Sequence, residues 1–140
     1  ELRHLAEQLK ISQHVTFAGR VDKSEAPIYQ TAIDIFVVPR KDTLVTRSVT
    51  PLKSVEASAL GKPVIVSDLP ALREVILEGE TGLVFEPSNP ESLASVATEL
   101  LVDSQKAALL GQNGRNWVME TRTWSVNAET YSDVYKSISF

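Results

Sequence analysis

Residues 50–68 read TPLKSVEASALGKPVIVSD, which has the pattern of a helix followed by a buried strand. Thr50 is a favoured N-cap residue and Pro51 suits the first helical position, so we predict that the helix begins there. Apolar residues recur at helical spacing as far as Gly61, which ends the helix. Residues 64–66 form a short apolar run, which is typical of a strand covered on both faces. This stretch therefore predicts one helix-strand unit of an α/β protein.

One acidic residue, Glu56, lies inside the predicted helix. An α-helix rises about 1.5 Å per residue, so Glu56, four residues after Leu52 in the first turn, lies roughly 6 Å along the axis from that residue. That separation is about the reach from the diphosphate of a nucleotide to its ribose. Because free N–H groups at a helix N-terminus bind phosphate, the pattern indicates a nucleotide site with its diphosphate at the helix start.

Helices and short apolar runs alternate along the chain. Strands are predicted at 15–18, 33–38, 64–66 and 83–85, and helices at 2–9, 26–31, 50–60, 70–74, 90–101, 105–120 and 125–137. Strands separated by helices imply right-handed crossovers between parallel strands. The predicted fold class is therefore α/β, with a doubly wound parallel sheet.

Ligands of such sheets bind beyond the carboxyl ends of the strands. The loops predicted there are 19–23, 39–50 and 67–70. The second loop is the longest, carries Arg40, Lys41 and Arg47, and runs directly into the predicted helix start. Basic side chains beside the free amides of a helix N-terminus predict an anion site.

Composition narrows the classes of function. The chain has 140 residues, of which 43% are hydrophobic, enough for one domain with a core. Its 14 basic and 18 acidic residues give a net charge of −4, which argues against nucleic acid as a partner. The absence of cysteine excludes a disulfide framework, a thiol nucleophile and a cysteine zinc site, and we expect no metal site.

No apolar run approaches the ~20 residues of a membrane span. We expect a cytoplasmic location, with peripheral attachment to the inner membrane face left open.

Four segments together resemble a known family: HVTFAGRV, IYQTAIDIFVVP, TPLKSVEASALGKPVIVSDLPALREVI and EGETGLVFEPSNPESLASVATELL. They are similar to the C-terminal, donor-binding domain of GT-B glycosyltransferases of family 4, the group 1 glycosyltransferases. The resemblance implies the Rossmann-like C-terminal half of a GT-B fold. It also implies transfer of a sugar from a nucleotide-diphosphate sugar to a glycan, lipid or small-molecule acceptor, with retention of configuration. No tightly bound cofactor or metal is implied.

The resemblance also implies which residues bind the donor. They are Gly19, Arg20, Val21, Arg47, Ser48, Thr50, Leu52, Lys53 and Glu56. Glu56 matches the acid that hydrogen-bonds the ribose hydroxyls in relatives. Leu52 and Lys53 would offer amides to the diphosphate beside Thr50, because Pro51 has no N–H group. Ser48 stands where relatives have a glutamate that contacts the donor sugar.

Other residues would complete the donor site. Gly19, Arg20 and Val21 match the segment that lines the nucleotide base, largely through backbone groups. Asp42, Arg47 and Ser48 could supply the sugar recognition that the missing glutamate provides in relatives. Glu56 would act as a positioning residue and not as an acid or base.

In relatives a strand, a helix and a second strand precede the segments matched here, and an acceptor-binding domain precedes those. We therefore expect residues 1–140 to be a single partial nucleotide-sugar-binding domain. The N-terminal acceptor domain and the first strands of this domain would be absent, together with the catalytic residues of the acceptor side. Such a fragment would be inactive alone and would expose a strand edge that invites self-association.

Two alternatives remain at this point. A nucleotide-sugar epimerase with the same GT-B architecture would share the helix-bound diphosphate and differ in the half that is missing. A non-enzymatic α/β binding module, such as a receiver-like domain, would carry an acidic cluster at the end of the first strand. This chain has Gly19 and Arg20 there.

Overall fold

The structure is a computed structural model that describes residues 1–138. The chain divides into two compact units, Glu1–Gln30 and Thr31–Phe140. That residues 1–140 form a single partial nucleotide-sugar-binding domain stays a prediction.

The first unit contains helix α1 (Leu2–Gln8), a 3-10 turn at Ser12–His14 and the start of helix α2 (Ala26–Thr31). The strand predicted at 15–18 is wrong, since these residues form no ladder in the described chain. A strand exists only through hydrogen bonds to a neighbouring strand, and alternating apolar residues do not supply one. Phe17 instead packs its ring against the guanidinium of Arg3, 4.7 Å from the ring centroid.

The second unit holds the sheet and the remaining helices. Its elements are β1 (Phe36–Val38), α3 (Leu44–Ser48), α4 (Leu52–Ala59), β2 (Val64–Ser67), α5 (Pro70–Arg73), β3 (Leu83–Phe85), α6 (Pro90–Val102), α7 (Ser104–Thr121) and α8 (Trp124–Ile138). The predicted strand at 33–38 is shorter in the structure. Helix α3 lies within the segment that was predicted as a loop.

The sheet has the order β1-β2-β3, and both pairs of strands are parallel. Phe36 pairs with Val64, and Ile65 pairs with Leu83. Strand β2 lies in the centre and is buried along its whole length, as the apolar run at 64–66 predicts. The α/β class with a parallel sheet is confirmed.

Side chains alternate between the two faces of the sheet, and helices cover both faces. One face carries Val64 and Val66 in a core cluster with Ala57 of α4 and Leu72 of α5. The other face carries Ile65, Leu83 and Phe85 in a cluster with Leu100 of α6 and Leu110 of α7. Helix α4 is therefore fixed on the sheet by a buried stripe that leaves its opposite side to solvent.

Helix α7 also packs closely against the end of α4. Gly111 of α7 lies against Gly61, which follows the end of α4 as predicted and has a φ of +72°, in the left-handed region. Arg115 of α7 donates a hydrogen bond to the carbonyl of Ala59, 2.6 Å away. The C-terminal end of α4 is thus held by α7, which fixes the direction in which its N-terminal end points.

Candidate functional site

The carboxyl ends of the three parallel strands meet at one edge of the sheet. The backbone N–H of Arg40, after β1, donates to the hydroxyl of Ser67 at the end of β2, 2.7 Å away. Ser67 is fully buried, so this bond joins the two strand ends in the interior. The guanidinium of Arg40 donates to the carbonyl of Val49 at 2.8 Å and holds the connection between α3 and α4.

Helix α4 begins at this edge, one residue later than predicted. Its N-cap residue is Pro51, with extended backbone (φ −82°, ψ 131°), and Leu52 is its first helical residue. The prediction that Thr50 caps the helix is wrong. The Thr50 hydroxyl instead donates to the carboxylate of Glu74, 3.2 Å away.

The start of α4 presents backbone N–H groups toward the edge of the sheet. The first N–H groups of a helix have no partner within it. Proline has no side-chain oxygen, so the N-cap residue Pro51 makes no side-chain cap bond to α4. The hydroxyl of Ser54 is used elsewhere, since it donates to the carbonyl of Pro51 at 3.0 Å. Leu52 and Lys53 are therefore the first residues of α4 whose N–H groups have no partner within the helix, and both side chains are exposed. That these amides bind a diphosphate stays a prediction.

Glu56 lies one turn further along α4 and is exposed. Residues four apart share a face of a helix, so Glu56 and Leu52 lie on the same side of α4. The axial separation is about 6 Å, from four residues at 1.5 Å each. The structure thus brings the amides of Leu52 and Lys53 and the carboxylate of Glu56 together on one helix.

Helix α3 places Arg47 and Ser48 in local hydrogen bonds. The guanidinium of Arg47 forms two bonds to the carboxylate of Asp42, at 2.5 and 2.7 Å. The hydrogen bond from Arg47 holds the pKa of Asp42 below its ordinary value. The hydroxyl of Ser48 donates to the carbonyl of Leu44 at 3.0 Å. Both side chains therefore already have partners within or next to α3.

Sequence reasoning missed helix α3 although a signal was present. Thr43 and Thr46 form a capping box, in which each side chain bonds the backbone N–H of the other. The spacing Thr-x-x-Thr lacks the glutamate or glutamine that makes a capping box easy to recognise.

A second missed feature is an ion-pair network after β2. Arg73 of α5 pairs with Asp68, where one of two bonds measures 2.9 Å, and with Glu78 at 2.8 Å. The hydrogen bond from Arg73 holds the pKa of Asp68 below its ordinary value. The backbone N–H of Asp68 also donates to the carbonyl of Phe85 at 2.8 Å, which ties this network to the end of β3.

Gly19, Arg20 and Val21, the predicted base-lining residues, belong to the first unit. Gly19 has a φ of +74°, a conformation that favours glycine, and Arg20 is exposed. Val21 is half-buried.

An open cavity of about 430 Å³ also lies at the carboxyl edge, between β1, β3 and the start of α6. Phe85 and Leu93 form part of its apolar lining, and Arg40 and Lys41 lie at its rim after β1. No cluster of three or more histidine or acidic side chains suited to a metal ion occurs within the described part of the chain. Over the same residues, none of the helices combines the length and apolar character that crossing a bilayer requires.

Comparison with known proteins places this geometry among related molecules. A family model described as "Glycosyl transferases group 1" matches residues 1–117. The chain is 34% identical over 134 residues to a GDP-mannose-dependent alpha-(1-6)-phosphatidylinositol monomannoside mannosyltransferase of Mycobacterium tuberculosis. That match covers 94% of this chain and 35% of the mycobacterial protein, so the chain spans about a third of its relative's length.

Two solved structures share the fold. The sucrose-phosphate synthase from Thermosynechococcus elongatus matches with a TM-score of 0.84 and 29% identity, over 98% of this chain and 33% of that chain. Anabaena HepE, in complex with UDP-glucose, matches with a TM-score of 0.86 over 98% of this chain and 36% of that chain. At 20% identity, the likeness to HepE is one of fold.

Proposed function

The chain belongs to the group 1 glycosyltransferases, as its motifs predicted, and on this basis we propose that it is the donor-binding portion of a glycosyltransferase. The reaction proposed for the whole protein is transfer of a sugar from a nucleotide-diphosphate sugar to an acceptor hydroxyl, with retention of configuration. The start of α4 carries this proposal. It combines amides without a side-chain cap at Leu52 and Lys53 with an exposed acid, Glu56, one turn away.

We propose that the diphosphate of the donor binds at the start of α4. The helix dipole places partial positive charge there, and the N–H groups of Leu52 and Lys53 point outward along the axis. Negative charge grows on the diphosphate as the bond to the sugar breaks. Backbone N–H groups fixed at that position stabilise the leaving group where its negative charge develops. The ammonium of Lys53, exposed in the first turn, adds a positive charge to the same side.

In this proposal Glu56 accepts hydrogen bonds from the ribose hydroxyls. Its distance from the helix start, about 6 Å, matches the span from diphosphate to ribose. Glu56 would thereby orient the donor so that its anomeric carbon faces the acceptor, which lowers the barrier through positioning and not through proton transfer.

The remaining predicted contacts lie outside α4. Gly19, Arg20 and Val21 would line the base through backbone groups. Arg47 would reach the donor by leaving Asp42, and Ser48 by releasing its bond to Leu44, since both side chains are now engaged locally. These two residues would therefore contribute less binding free energy than the amides of α4.

The similarity to a GDP-mannose-dependent mannosyltransferase supports a nucleotide-sugar as donor. A second domain outside this chain would bind the acceptor and complete the catalytic site. That the chain alone lacks transferase activity and self-associates remains our prediction. The epimerase and binding-module alternatives gain no support from the described residues.

The experiment that tests the proposal measures nucleoside diphosphate release by the full-length protein that contains this chain. UDP-, GDP- and ADP-sugars are supplied separately with a mixture of acceptors, and nuclear magnetic resonance identifies the anomer formed. We expect release from one donor and a product of the same anomeric configuration as the donor. Release from no donor, or an inverted product, would contradict the proposal.

A further inference from the structure

We propose that Glu74 is a positioning residue that sets where the start of α4 presents its amides to the donor. The inference rests on the function proposed above. Glu74 lies beside the candidate site. In this role its side chain needs only an oxygen atom that accepts a hydrogen bond.

The contact between Glu74 and the helix start runs through Thr50. The hydroxyl of Thr50 lies 3.2 Å from the Glu74 carboxylate, and Thr50 directly precedes Pro51, the N-cap residue of α4. Proline has a fixed φ and cannot bond the helix amides, so it cannot itself anchor the entry of the chain into α4. The bond from Thr50 to Glu74 is a tether immediately before the helix.

The backbone of Glu74 is itself held by a second hydrogen bond. It follows α5 with helical backbone angles (φ −69°, ψ −21°), and its carbonyl accepts a hydrogen bond from the guanidinium of Arg122. That guanidinium lies 5.2 Å from the centroid of the Trp117 ring, in a cation–π contact. Helix α7, which ends before Arg122, is buried at Gly111, Gly114 and Val118. The tether therefore leads from the start of α4 to a packed helix.

The charge of Glu74 opposes a role in binding the diphosphate directly. A carboxylate next to the helix start repels a phosphate anion, whereas an acceptor oxygen on the same side chain still fixes Thr50. A glutamine at position 74 keeps the oxygen and loses the charge. If Glu74 acts only through its acceptor oxygen, Glu74→Gln binds nucleotide like the wild type. If its charge matters, Glu74→Gln binds nucleotide differently from the wild type.

The test measures binding of UDP and GDP by calorimetry to the full-length protein and to four variants. Glu74→Leu and Thr50→Val break the tether, while Glu74→Gln keeps it. One intramolecular hydrogen bond corresponds to about fivefold in affinity, so we expect Glu74→Leu and Thr50→Val each to weaken binding about fivefold. Glu74→Gln should bind within twofold of the wild type. The double variant, with both Thr50→Val and Glu74→Leu, should bind as a single variant does, because both changes remove the same bond.

Thr130→Val is the matched control, since the Thr130 hydroxyl bonds the carbonyl of Val126 in α8 at 3.0 Å. It should leave binding unchanged. Equal losses in Glu74→Gln and Glu74→Leu, or additive losses in the double variant, would overturn the inference. If the wild type binds a nucleoside diphosphate and Glu74→Leu binds equally well, the inference alone fails. If the wild type binds neither probe, the proposed function fails and the inference fails with it.

Discussion

Substituting Gly111 by alanine should destabilise the protein, although alanine is the better helix former. A Cβ atom at position 111 would lie 2.2 Å from the carbonyl oxygen of Gly61, 3.0 Å from its carbonyl carbon and 3.2 Å from the nitrogen of Pro63. All three are backbone atoms, so no side chain can rotate away. Helix α7 or the turn after α4 would have to retreat by roughly 1 Å to restore a normal contact.

The sign of the effect follows from two opposing terms. Replacing glycine by alanine inside a helix stabilises it by about 1 kcal/mol. Overpacking a rigid contact costs about 1–3 kcal/mol, and the overlap with Gly61 places this site at the upper end. The net loss expected for Gly111→Ala is therefore about 2 kcal/mol.

Gly114, one turn later in α7, is a matched control. A Cβ atom there would lie 3.1 Å from the carbonyl oxygen of Thr81 and 3.5 Å from the nearest atoms of Ser58. A shift of a few tenths of an ångström relieves this contact, so the helix-propensity gain roughly cancels the cost. We expect Gly114→Ala to change the free energy of unfolding by less than about 0.5 kcal/mol.

Urea unfolding followed by circular dichroism compares the two variants with the wild type. The account requires a lower midpoint for Gly111→Ala at an unchanged slope, and a midpoint near the wild type for Gly114→Ala. If Gly111→Ala were as stable as the wild type, the close packing of α7 on the end of α4 would be refuted. The claim that α7 fixes the direction of α4 would then fail as well.

Two further predictions concern acidic residues. Glu56→Ala should reduce kcat/KM for the nucleotide-sugar by about 10- to 100-fold, the range for one or two hydrogen bonds to a charged group. Glu120→Ala, at an exposed position on α7, is the control. Unchanged kinetics in Glu56→Ala would remove Glu56 from the site. Asp68→Asn should lower the free energy of unfolding at pH 7 by less than about 1 kcal/mol, because the pair with Arg73 is largely exposed. The pKa of Asp68 is depressed when folded, so its contribution is present above the ordinary value of 3.8 and is lost as the pH falls through the lower folded pKa. Urea unfolding at pH 7 and at successively lower pH should therefore show the difference between Asp68→Asn and the wild type shrink as the pH falls below 3.8, and a difference that stays constant would contradict this assignment.

The sequence predicted those parts of the fold in which local pattern and tertiary packing agree. Residues 64–66 of β2 are a continuous apolar run and the strand is buried throughout, and Gly61 follows α4 with a positive φ, which suits the helix end predicted there. The predicted strand at 15–18 was wrong because the apolar alternation there has no neighbouring strand to pair with in the described chain. A periodic pattern indicates which side chains can be buried, but pairing depends on residues distant in sequence.

The local features of the candidate site followed from the sequence unevenly, and their role in donor binding stays a prediction. The amides of Leu52 and Lys53 and the acid at Glu56 follow from a helix start and a spacing, both of which are local. The cap at Thr50 failed because its hydroxyl bonds Glu74, which lies on the segment after the next strand. The pair of Asp68 with Arg73 was missed for a related reason, since each charged residue alone is typical of an exposed surface.

The most direct test of the central claim removes one amide from the start of α4. Leu52→Pro deletes this N–H group while the helix tolerates proline at its first position, and the extended ψ of 131° at Pro51 accommodates a following proline. Leu52→Ala keeps the amide and is the control, since the Leu52 side chain is 66% exposed. Calorimetry with UDP and GDP on the full-length protein should show binding weakened at least tenfold in Leu52→Pro and within twofold of the wild type in Leu52→Ala. Equal binding by the two variants would contradict the claim that the start of α4 holds the donor diphosphate.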